Sequence, residues 1–229
     1  MKATSFDIDV GAASTTVTGL HYGADRSASL DTTVILAHGA GASQLSPFMV
    51  AFATGLSERG ADVVTFNFAY MERGRRAPDP RARLEAAYQC AIDTTREQVA
   101  SAATRLVVGG KSMGGRIASQ VVATSPDLGI AGLVLIGYPL HPPGRPERRR
   151  DAHLASIGAP MLFVQGSRDT FGSENEMRPV VEACPSARLH VVAGGDHSLK
   201  MRGKDAPAPA QVYGGVQDAI VEWLRTTAL

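Results

Sequence analysis

Short apolar runs alternate with longer stretches of helical periodicity along most of this chain. Residues 33–37 and 63–68 are two such runs, and both are rich in β-branched side chains. Strands that are apolar on both faces are typical of the interior of a parallel sheet, which helices cover on both sides. The alternation therefore predicts an α/β fold with a mostly parallel central sheet and helices on both faces.

Local signals place the ends of several helices. Ser46 followed by Pro47 is typical of a helix N-terminus, and Ser173 with Glu176 three residues later forms a capping box. We find no internal repeat, low-complexity segment or linker, so residues 1–229 are expected to form a single domain. The predicted elements are an antiparallel pair within 5–22, strands at 33–37, 63–68, 106–108, 133–136, 161–164 and 189–192, and helices from Ser46, at 81–103, after Ser112, from Ser173 towards Cys184 and at 212–224.

The composition excludes several classes of protein. With 229 residues, 44% hydrophobic and 20% charged, the chain is long and apolar enough to bury a core without disulfides or metals. The net charge of +1 provides no overall field for a nucleic-acid backbone or an anionic membrane. No apolar run reaches the ~18 residues of a membrane span, and the first residues lack a signal-peptide core. Cys90 and Cys184 lie in no metal-binding spacing, which argues against a zinc site and for a reducing compartment. Together these observations lead us to expect a cytoplasmic protein without metal, cofactor, nucleic-acid partner or membrane span.

One motif suggests a catalytic nucleophile. Gly110-Lys111-Ser112-Met113-Gly114 fits the pattern Gly-x-Ser-x-Gly, in which small residues let the backbone turn so sharply that the serine hydroxyl projects from the sheet. The pattern alone is only moderately specific, but here it follows the apolar strand at 106–108 and precedes a helix. The N-terminus of that helix supplies partial positive charge for an oxyanion. We therefore predict that Ser112 is a nucleophile.

A serine nucleophile needs a histidine base and a carboxylate that orients the base. Ser112, Asp169 and His197 each come just after a predicted strand. The carboxyl ends of parallel strands meet at one edge of a sheet, where open α/β sheets place their sites. We therefore predict that these three residues form a catalytic triad. Less favoured alternatives are Asp196 and Glu174 for the acid, and His38, His141 and His153 for the base.

The segment His38-Gly39-Ala40-Gly41 follows the first buried strand. Its small residues allow a substrate to approach the backbone closely. We expect the amide N–H groups of Ala40 and Met113 to bind the oxyanion of a tetrahedral intermediate.

An arginine-rich loop follows the strand at 63–68. Among its arginines, one or more of Arg73, Arg75 and Arg76 could hold an anionic group of the substrate. The alternative that these arginines pair with Glu72 and Asp79 and order the loop stays open.

Another stiff, aromatic segment, at 137–144, emerges after the strand at 133–136, and we expect its Tyr138 in the pocket wall. The charge run at 145–150 is expected to be solvated surface. Residues 137–160 are too few for a cap domain, so the site is expected to be open or closed only by loops.

Four of these segments together resemble a known family. Residues 110–115, 38–41, 67–79 with its Glu-Arg-Gly-Arg-Arg core, and 137–144 resemble those of small lidless α/β-hydrolases related to dienelactone hydrolase. The closest likeness is to the KANSL and testis-expressed hydrolase-like group. The resemblance covers nearly the whole chain and implies an α/β-hydrolase fold with Ser112, Asp169 and His197 at the triad positions. Dienelactone hydrolases use a cysteine nucleophile, whereas this chain has a serine.

Two hypotheses for the function follow. The first is a cofactor-independent serine hydrolase that cleaves a small-molecule carboxylic ester or thioester. The second is a hydrolase-like scaffold that binds a protein partner and turns over little, as some members of the resembled group do. The presence of all three triad residue types favours the enzyme. The sequence specifies neither the natural substrate nor the oligomeric state.

Overall fold

The computed structural model describes residues 3–11 and 15–227 and contains an eight-stranded sheet. Its strands are β1 (Thr4–Asp9), β2 (Thr16–Tyr22), β3 (Thr33–Ala37), β4 (Asp62–Phe66), β5 (Leu106–Lys111), β6 (Gly132–Ile136), β7 (Met161–Gly166) and β8 (Ala187–Val192). They lie in the order β1-β2-β4-β3-β5-β6-β7-β8. The pairs β1–β2 and β2–β4 are antiparallel, and all other pairs are parallel. The predicted antiparallel pair within 5–22 is thus confirmed, except for residues 12–14, which lie outside the described residues.

Helices cover both faces of the sheet. The described residues form α1 (Pro47–Ser57), α2 (Ala69–Glu72), α3 (Arg81–Gln98), α4 (Ser101–Thr104), α5 (Met113–Thr124), α6 (Glu174–Glu182) and α7 (Pro209–Thr226). Because side chains alternate along a strand, Ile35 of β3 faces one side and Leu36 faces the other. The helices α3, α5 and α6 pack on the first face, and α1 and α7 pack on the second. The predicted α/β architecture is therefore confirmed.

Two helix starts follow the signals in the sequence. α1 begins at Pro47 directly after Ser46, although the Ser46 side chain makes no capping hydrogen bond. At the start of α6, Ser173 and Glu176 form the predicted capping box. The glutamate accepts from the Ser173 N–H at 2.8 Å, so the end of α6 next to the sheet edge is well defined.

The helix predicted at 81–103 is broken in two. α3 ends at Gln98, Val99 adopts an extended backbone with φ −125° and ψ 111°, and α4 follows. Val99 is buried, so the break leaves the apolar pattern of the segment intact. The prediction of one continuous helix is therefore wrong.

The parallel strands β3 to β8 all end at one edge of the sheet, and the loops that follow them surround the site described below. Between β6 and β7, residues 137–160 contain loops and a 3₁₀ turn at Leu154–Ser156, so they form no cap domain, as predicted. Within residues 3–11 and 15–227, no helix is long and apolar enough to cross a membrane.

Candidate active site

Ser112 lies at a sharp turn between β5 and α5. Its backbone has φ 51° and ψ −113°, a conformation that residues other than glycine rarely adopt. The turn brings the chain against β3, and a Cβ atom on Gly110 or on Gly114 would collide with the carbonyl oxygen of Ala37. The two glycines of the motif therefore permit close packing, and Ser112 reaches a cavity at the sheet edge.

The three side chains of the predicted triad meet in space. Ser112 Oγ lies 2.9 Å from His197 Nε2. His197 Nδ1 lies 2.8 Å from Asp169 Oδ2. When Nδ1–H donates to the carboxylate, Nε2 is left as the acceptor for the serine hydroxyl. This geometry is the one that proton transfer from Ser112 requires.

The Asp169 carboxylate is buried, and both of its oxygens accept hydrogen bonds. Besides the bond from His197, Oδ2 accepts from Gln165 Nε2 at 2.9 Å, and Oδ1 accepts from the Phe171 N–H at 2.8 Å. A buried charge is stable only when it is bonded in this way. Gln165 lies on β7 and also bonds the backbone N–H of Tyr138, so it links the loops after β6 and β7 at the carboxylate.

The loop that carries His197 is shaped by its neighbour in sequence. Asp196 Oδ1 accepts from the N–H groups of Ser198 and Lys200 at 2.8 and 3.0 Å. Phe171 stacks on the imidazole of His197, with the ring centroids 4.1 Å apart. Asp196 therefore orders the turn, while Asp169 and Phe171 contact the ring.

Lys111 approaches the same loop from the end of β5. Its side chain is buried, and Nζ donates to the carbonyl oxygen of His197. A Cβ atom at Gly137 would lie 2.7 Å from Nζ, so the glycine leaves room for the ammonium group. Burial lowers the pKa of Lys111 to about 8, although the carboxylates of Asp169 and Asp196 raise it. Lys111 thus places a buried amine against the backbone of the histidine.

Ala40 and Met113 both line the cavity. The N–H of Met113 is the first of α5 and so has no acceptor within that helix. His38 fixes the loop of Ala40, because its Nδ1–H donates to the carbonyl oxygen of Gly39 at 2.8 Å and its Nε2 accepts from the Phe68 N–H at 3.1 Å. Burial lowers the pKa of His38, which favours the neutral ring that this bonding requires. An oxyanion role for the two amides stays a prediction.

The remaining alternative acids and bases are engaged elsewhere. His141 Nε2 bonds a glutamate of α6 at 3.0 Å, and His153 Nε2 bonds a serine of α5 at 2.8 Å. Glu174 pairs with an arginine of its own helix. None of these three side chains bonds the hydroxyl of Ser112.

A cavity of about 720 Å³ opens beside Ser112, a volume that suits a small molecule. Apolar side chains such as Phe48 and Met49 of α1 form part of its wall. Among the described residues, five cationic side chains and one acidic side chain lie in the wall, namely Arg81, Lys111, Arg116, Arg150, Lys200 and Asp79.

The prediction that Tyr138 lines the pocket is wrong. Its side chain is 1% exposed and packs in the core with its ring 5.6 Å from that of Phe163. Its hydroxyl donates to the carbonyl oxygen of Arg150 at 2.7 Å. Arg150 itself lines the cavity, contrary to the expectation that residues 145–150 form only solvated surface.

Substrate contacts by Arg75 and Arg76 are not supported either. Neither side chain is among the described residues that line the cavity. Arg75 Nη2 donates to Asp79 Oδ1 at 2.8 Å, and Arg73 Nη2 donates to Thr15 Oγ1 at 2.7 Å. For Arg75 the structure therefore agrees with the alternative in which the arginines pair with acids of their own loop.

Besides Arg150, four residues of the site were missed from the sequence, namely Lys111, Arg116, Gln165 and Phe171. Two of these four could have been found from the sequence. Lys111 directly precedes Ser112, and Arg116 lies one helical turn after it, on the same side of the helix. For Gln165 and Phe171, the only signal in the sequence was that they lie close to Asp169 in the chain.

Comparison with known proteins places the chain in a class. Residues 30–225 match the family model described as an alpha/beta hydrolase domain, and the chain belongs to that family. A lidless α/β serine hydrolase from Xanthomonas campestris is 18% identical, with a TM-score of 0.72 over 100% of this chain and 98% of that one. Dienelactone hydrolase from Anabaena variabilis is 18% identical, with a TM-score of 0.73 over 100% of both chains.

Est1E from Butyrivibrio proteoclasticus is 14% identical, with a TM-score of 0.70 over 97% of this chain and 99% of that one. At these identities the likeness concerns the fold, and it confirms the predicted α/β-hydrolase architecture.

In the part of the chain that the structure describes, no group of three or more His, Cys, Asp or Glu side chains could hold a metal ion.

Proposed function

We propose that this protein is a serine hydrolase that cleaves a carboxylic ester or thioester of a small molecule through an acyl-enzyme on Ser112. The observation that carries the proposal is the connected series of hydrogen bonds from Ser112 to His197, at 2.9 Å, and from His197 to Asp169, at 2.8 Å. A cavity of small-molecule size adjoins the serine. Together they supply a nucleophile, its base and a place for the substrate.

In the first half of the reaction, Ser112 Oγ attacks the carbonyl carbon while its proton passes to His197 Nε2. The carbonyl oxygen becomes an oxyanion, and the N–H groups of Ala40 and Met113 stabilise it. The bond from the carbonyl carbon to the leaving oxygen or sulfur then breaks. The proton on His197 passes to the leaving group, which departs as an alcohol or thiol.

In the second half, water attacks the acyl-enzyme and gives one proton to His197 Nε2. The bond between Ser112 Oγ and the carbonyl carbon breaks, the proton returns to Ser112, and a carboxylic acid leaves. Asp169 stays ionised throughout and stabilises the imidazolium that forms twice in each cycle.

Finer assignments belong to the same proposal. The resemblance of residues 67–79 and 137–144 supports a proposed relation to the KANSL and testis-expressed hydrolase-like group. We treat residues 1–229 as one domain and propose a cytoplasmic location. The free thiols of Cys90 and Cys184 support a reducing compartment.

Labelling with a fluorophosphonate probe tests the proposal. We expect wild type to be labelled and Ser112→Ala and His197→Ala to lose labelling, because they remove the attacking oxygen and its base. Ser125→Ala, beyond the other end of α5, is the control and should be labelled like wild type. Steady-state hydrolysis of phenyl acetate and of its neutral sulfur analogue S-phenyl thioacetate separates ester from thioester activity, and kcat should fall by about 10⁴-fold or more in Ser112→Ala.

An unreactive Ser112 in well-folded wild-type protein would contradict the proposal. That outcome would favour the scaffold hypothesis, in which the same fold binds a partner and turns over little.

A further inference from the structure

The charge on the cavity wall differs from the charge of the whole chain. The chain has a net charge of +1, yet five cationic side chains and one acidic side chain line the cavity. The acidic one, Asp79, already pairs with Arg75 at 2.8 Å. A cavity beside a nucleophile with this surplus of positive charge attracts anionic molecules.

Arg116 lies one helical turn after the serine. Its backbone N–H donates to the Ser112 carbonyl at 3.0 Å, and its side chain lines the cavity. The guanidinium Nε is buried without a hydrogen-bond partner among the described residues, and Nη1 makes a long bond of 3.3 Å to the neutral Gln120. A partly buried cation is costly unless an anion or several acceptors compensate it.

Arg150 reaches the cavity from the loop between β6 and β7. Its backbone is fixed on both sides, because its N–H donates to Leu140 and its carbonyl accepts from the buried Tyr138 hydroxyl. Burial lowers the pKa of Arg116, and the positive charge of Arg150 lowers it further, whereas Tyr138 raises it. Both side chains line the same cavity, so their positive charges repel each other there.

The acids in this region are already engaged with other arginines. Among the described residues, no carboxylate forms an ion pair with Arg116 or Arg150. The pairs that do form are Asp79 with Arg75 at 2.8 Å, Glu85 with Arg81 at 2.6 Å, and Asp151 with Arg149.

We propose that Arg116 and Arg150 form a subsite for an acidic group, a carboxylate or a phosphate, carried by the ester substrate. The inference rests on the proposed function for the reaction at Ser112 and adds the chemical class of the substrate. Guanidinium groups form strong charge-assisted hydrogen bonds with both kinds of acidic group. An anion between Arg116 and Arg150 would relieve their repulsion and supply the missing acceptors.

Matched pairs of esters test the subsite. 4-Nitrophenyl hydrogen glutarate and 4-nitrophenyl pentanoate differ by an acidic group on the acyl side, and 4-acetoxybenzoate and its methyl ester differ on the leaving side. We expect wild type to prefer the acidic member of at least one pair in kcat/KM. That preference should fall about ten- to a hundred-fold in Arg116→Gln and in Arg150→Gln, and Arg116→Lys should retain part of it.

Arg145→Gln is the control, because Arg145 belongs to the same loop as Arg150 but is exposed and lies outside the cavity wall. It should keep the preference of wild type. The subsite is contradicted if wild type hydrolyses acidic and neutral esters alike, or if the preference is the same in all of these variants.

A binding measurement separates failure of the subsite from failure of the proposed reaction. Ser112→Ala protein is titrated calorimetrically with glutarate and with inorganic phosphate, and so is the double variant Ser112→Ala, Arg116→Gln. Binding of either anion that weakens ten-fold or more in the double variant supports the subsite even if wild type hydrolyses no ester. The anion that binds more tightly identifies the acidic group. No binding of either anion, or equal binding by both proteins, contradicts the subsite.

Discussion

Two carboxylates lie close to His197 in the chain or in space, but only Asp169 bonds its ring. Asp169 Oδ2 is 2.8 Å from His197 Nδ1, whereas Asp196 Oδ1 accepts from two N–H groups of its own loop. In Asp196→Asn, the side-chain amide oxygen can still accept the hydrogen bonds from the two loop N–H groups. At position 169, in contrast, an amide lacks the negative charge that stabilises the imidazolium, and its NH₂ group would oppose the Nδ1–H.

We therefore predict that Asp169→Asn lowers kcat by about 10³- to 10⁴-fold, the size of effect seen when the triad acid of a serine protease is changed to asparagine. Asp196→Asn should change kcat much less. The measurement is kcat with a 4-nitrophenyl ester, together with thermal unfolding to show that both variants fold. Equal losses of activity in the two variants would contradict the assignment of Asp169 as the acid that orients His197.

Lys111 links stability to pH. Its pKa is about 8 in the folded protein against an ordinary value of 10.5, because burial disfavours the charged form. Between pH 8 and 10.5 the unfolded chain therefore binds a proton that the folded protein has released. The free energy of unfolding then rises with pH in this window, by up to about 1.4 kcal/mol per pH unit. Below pH 8 both states are protonated, and this contribution no longer changes.

The variant Lys111→Met lacks this titration. We expect the free energy of unfolding of wild type, minus that of the variant, to increase between pH 7.5 and pH 10 in urea titrations. Lys200→Met serves as the control, because Lys200 is exposed, and its difference from wild type should stay constant. If the free energy of unfolding changed with pH in the same way for wild type and Lys111→Met, the lowered pKa of the buried amine would be contradicted.

At the scale of elements, one tyrosine hydroxyl joins α3 to β5. Tyr88 Oη donates to the carbonyl oxygen of Gly109 at 2.7 Å and accepts from the Gly109 N–H at 2.9 Å. Burial raises the pKa of Tyr88, so the hydroxyl stays protonated. The bonded glycine lies three residues before Ser112, and α3 therefore supports the strand that presents the serine.

We predict that Tyr88→Phe lowers the free energy of unfolding by about 1–3 kcal/mol, because it removes two buried hydrogen bonds to the backbone of Gly109. Urea unfolding at neutral pH measures the change. Tyr213→Phe is the matched control, since Tyr213 is only half-buried and its ring contacts are aromatic. A loss in Tyr88→Phe no larger than in the control would show that the hydroxyl contributes nothing.

Most elements could be predicted from sequence, because each had a strong local signal. The strands β3 to β7 are buried on both faces, α6 has a capping box, and Ser112, Asp169 and His197 each follow a parallel strand. The break between α3 and α4 had no such signal, since no Gly or Pro marks it and Val99 continues the apolar pattern.

The direction of a side chain after a strand was harder to predict. Tyr138 follows Gly137, whose φ of 59° turns the chain, and the ring then packs in the core. A pattern of apolar and polar residues does not reveal such a turn. Arg150 was missed for a similar reason, because only the path of the loop between β6 and β7 brings it to the cavity.

At the scale of the whole molecule, β1 and β2 lie outside the region that matches the family model, residues 30–225, yet they complete the sheet. Ile8 and Val17 are buried in the core, and β2 pairs with β4, which would otherwise be an edge strand. The Thr18 N–H also donates to Glu72 at 2.7 Å. The antiparallel pair therefore supports both the sheet and the loop that borders the site.

Residues 137–160 contain only loops and one 3₁₀ turn, so this segment adds no cap domain above the cavity, although Pro139 and Arg150 line its wall. Only the part of a bound molecule that reaches Ser112 and the cationic wall has to match the shape of the cavity. The rest of the molecule can extend into solvent. Discrimination among small molecules then depends on the groups that line the cavity nearest Ser112.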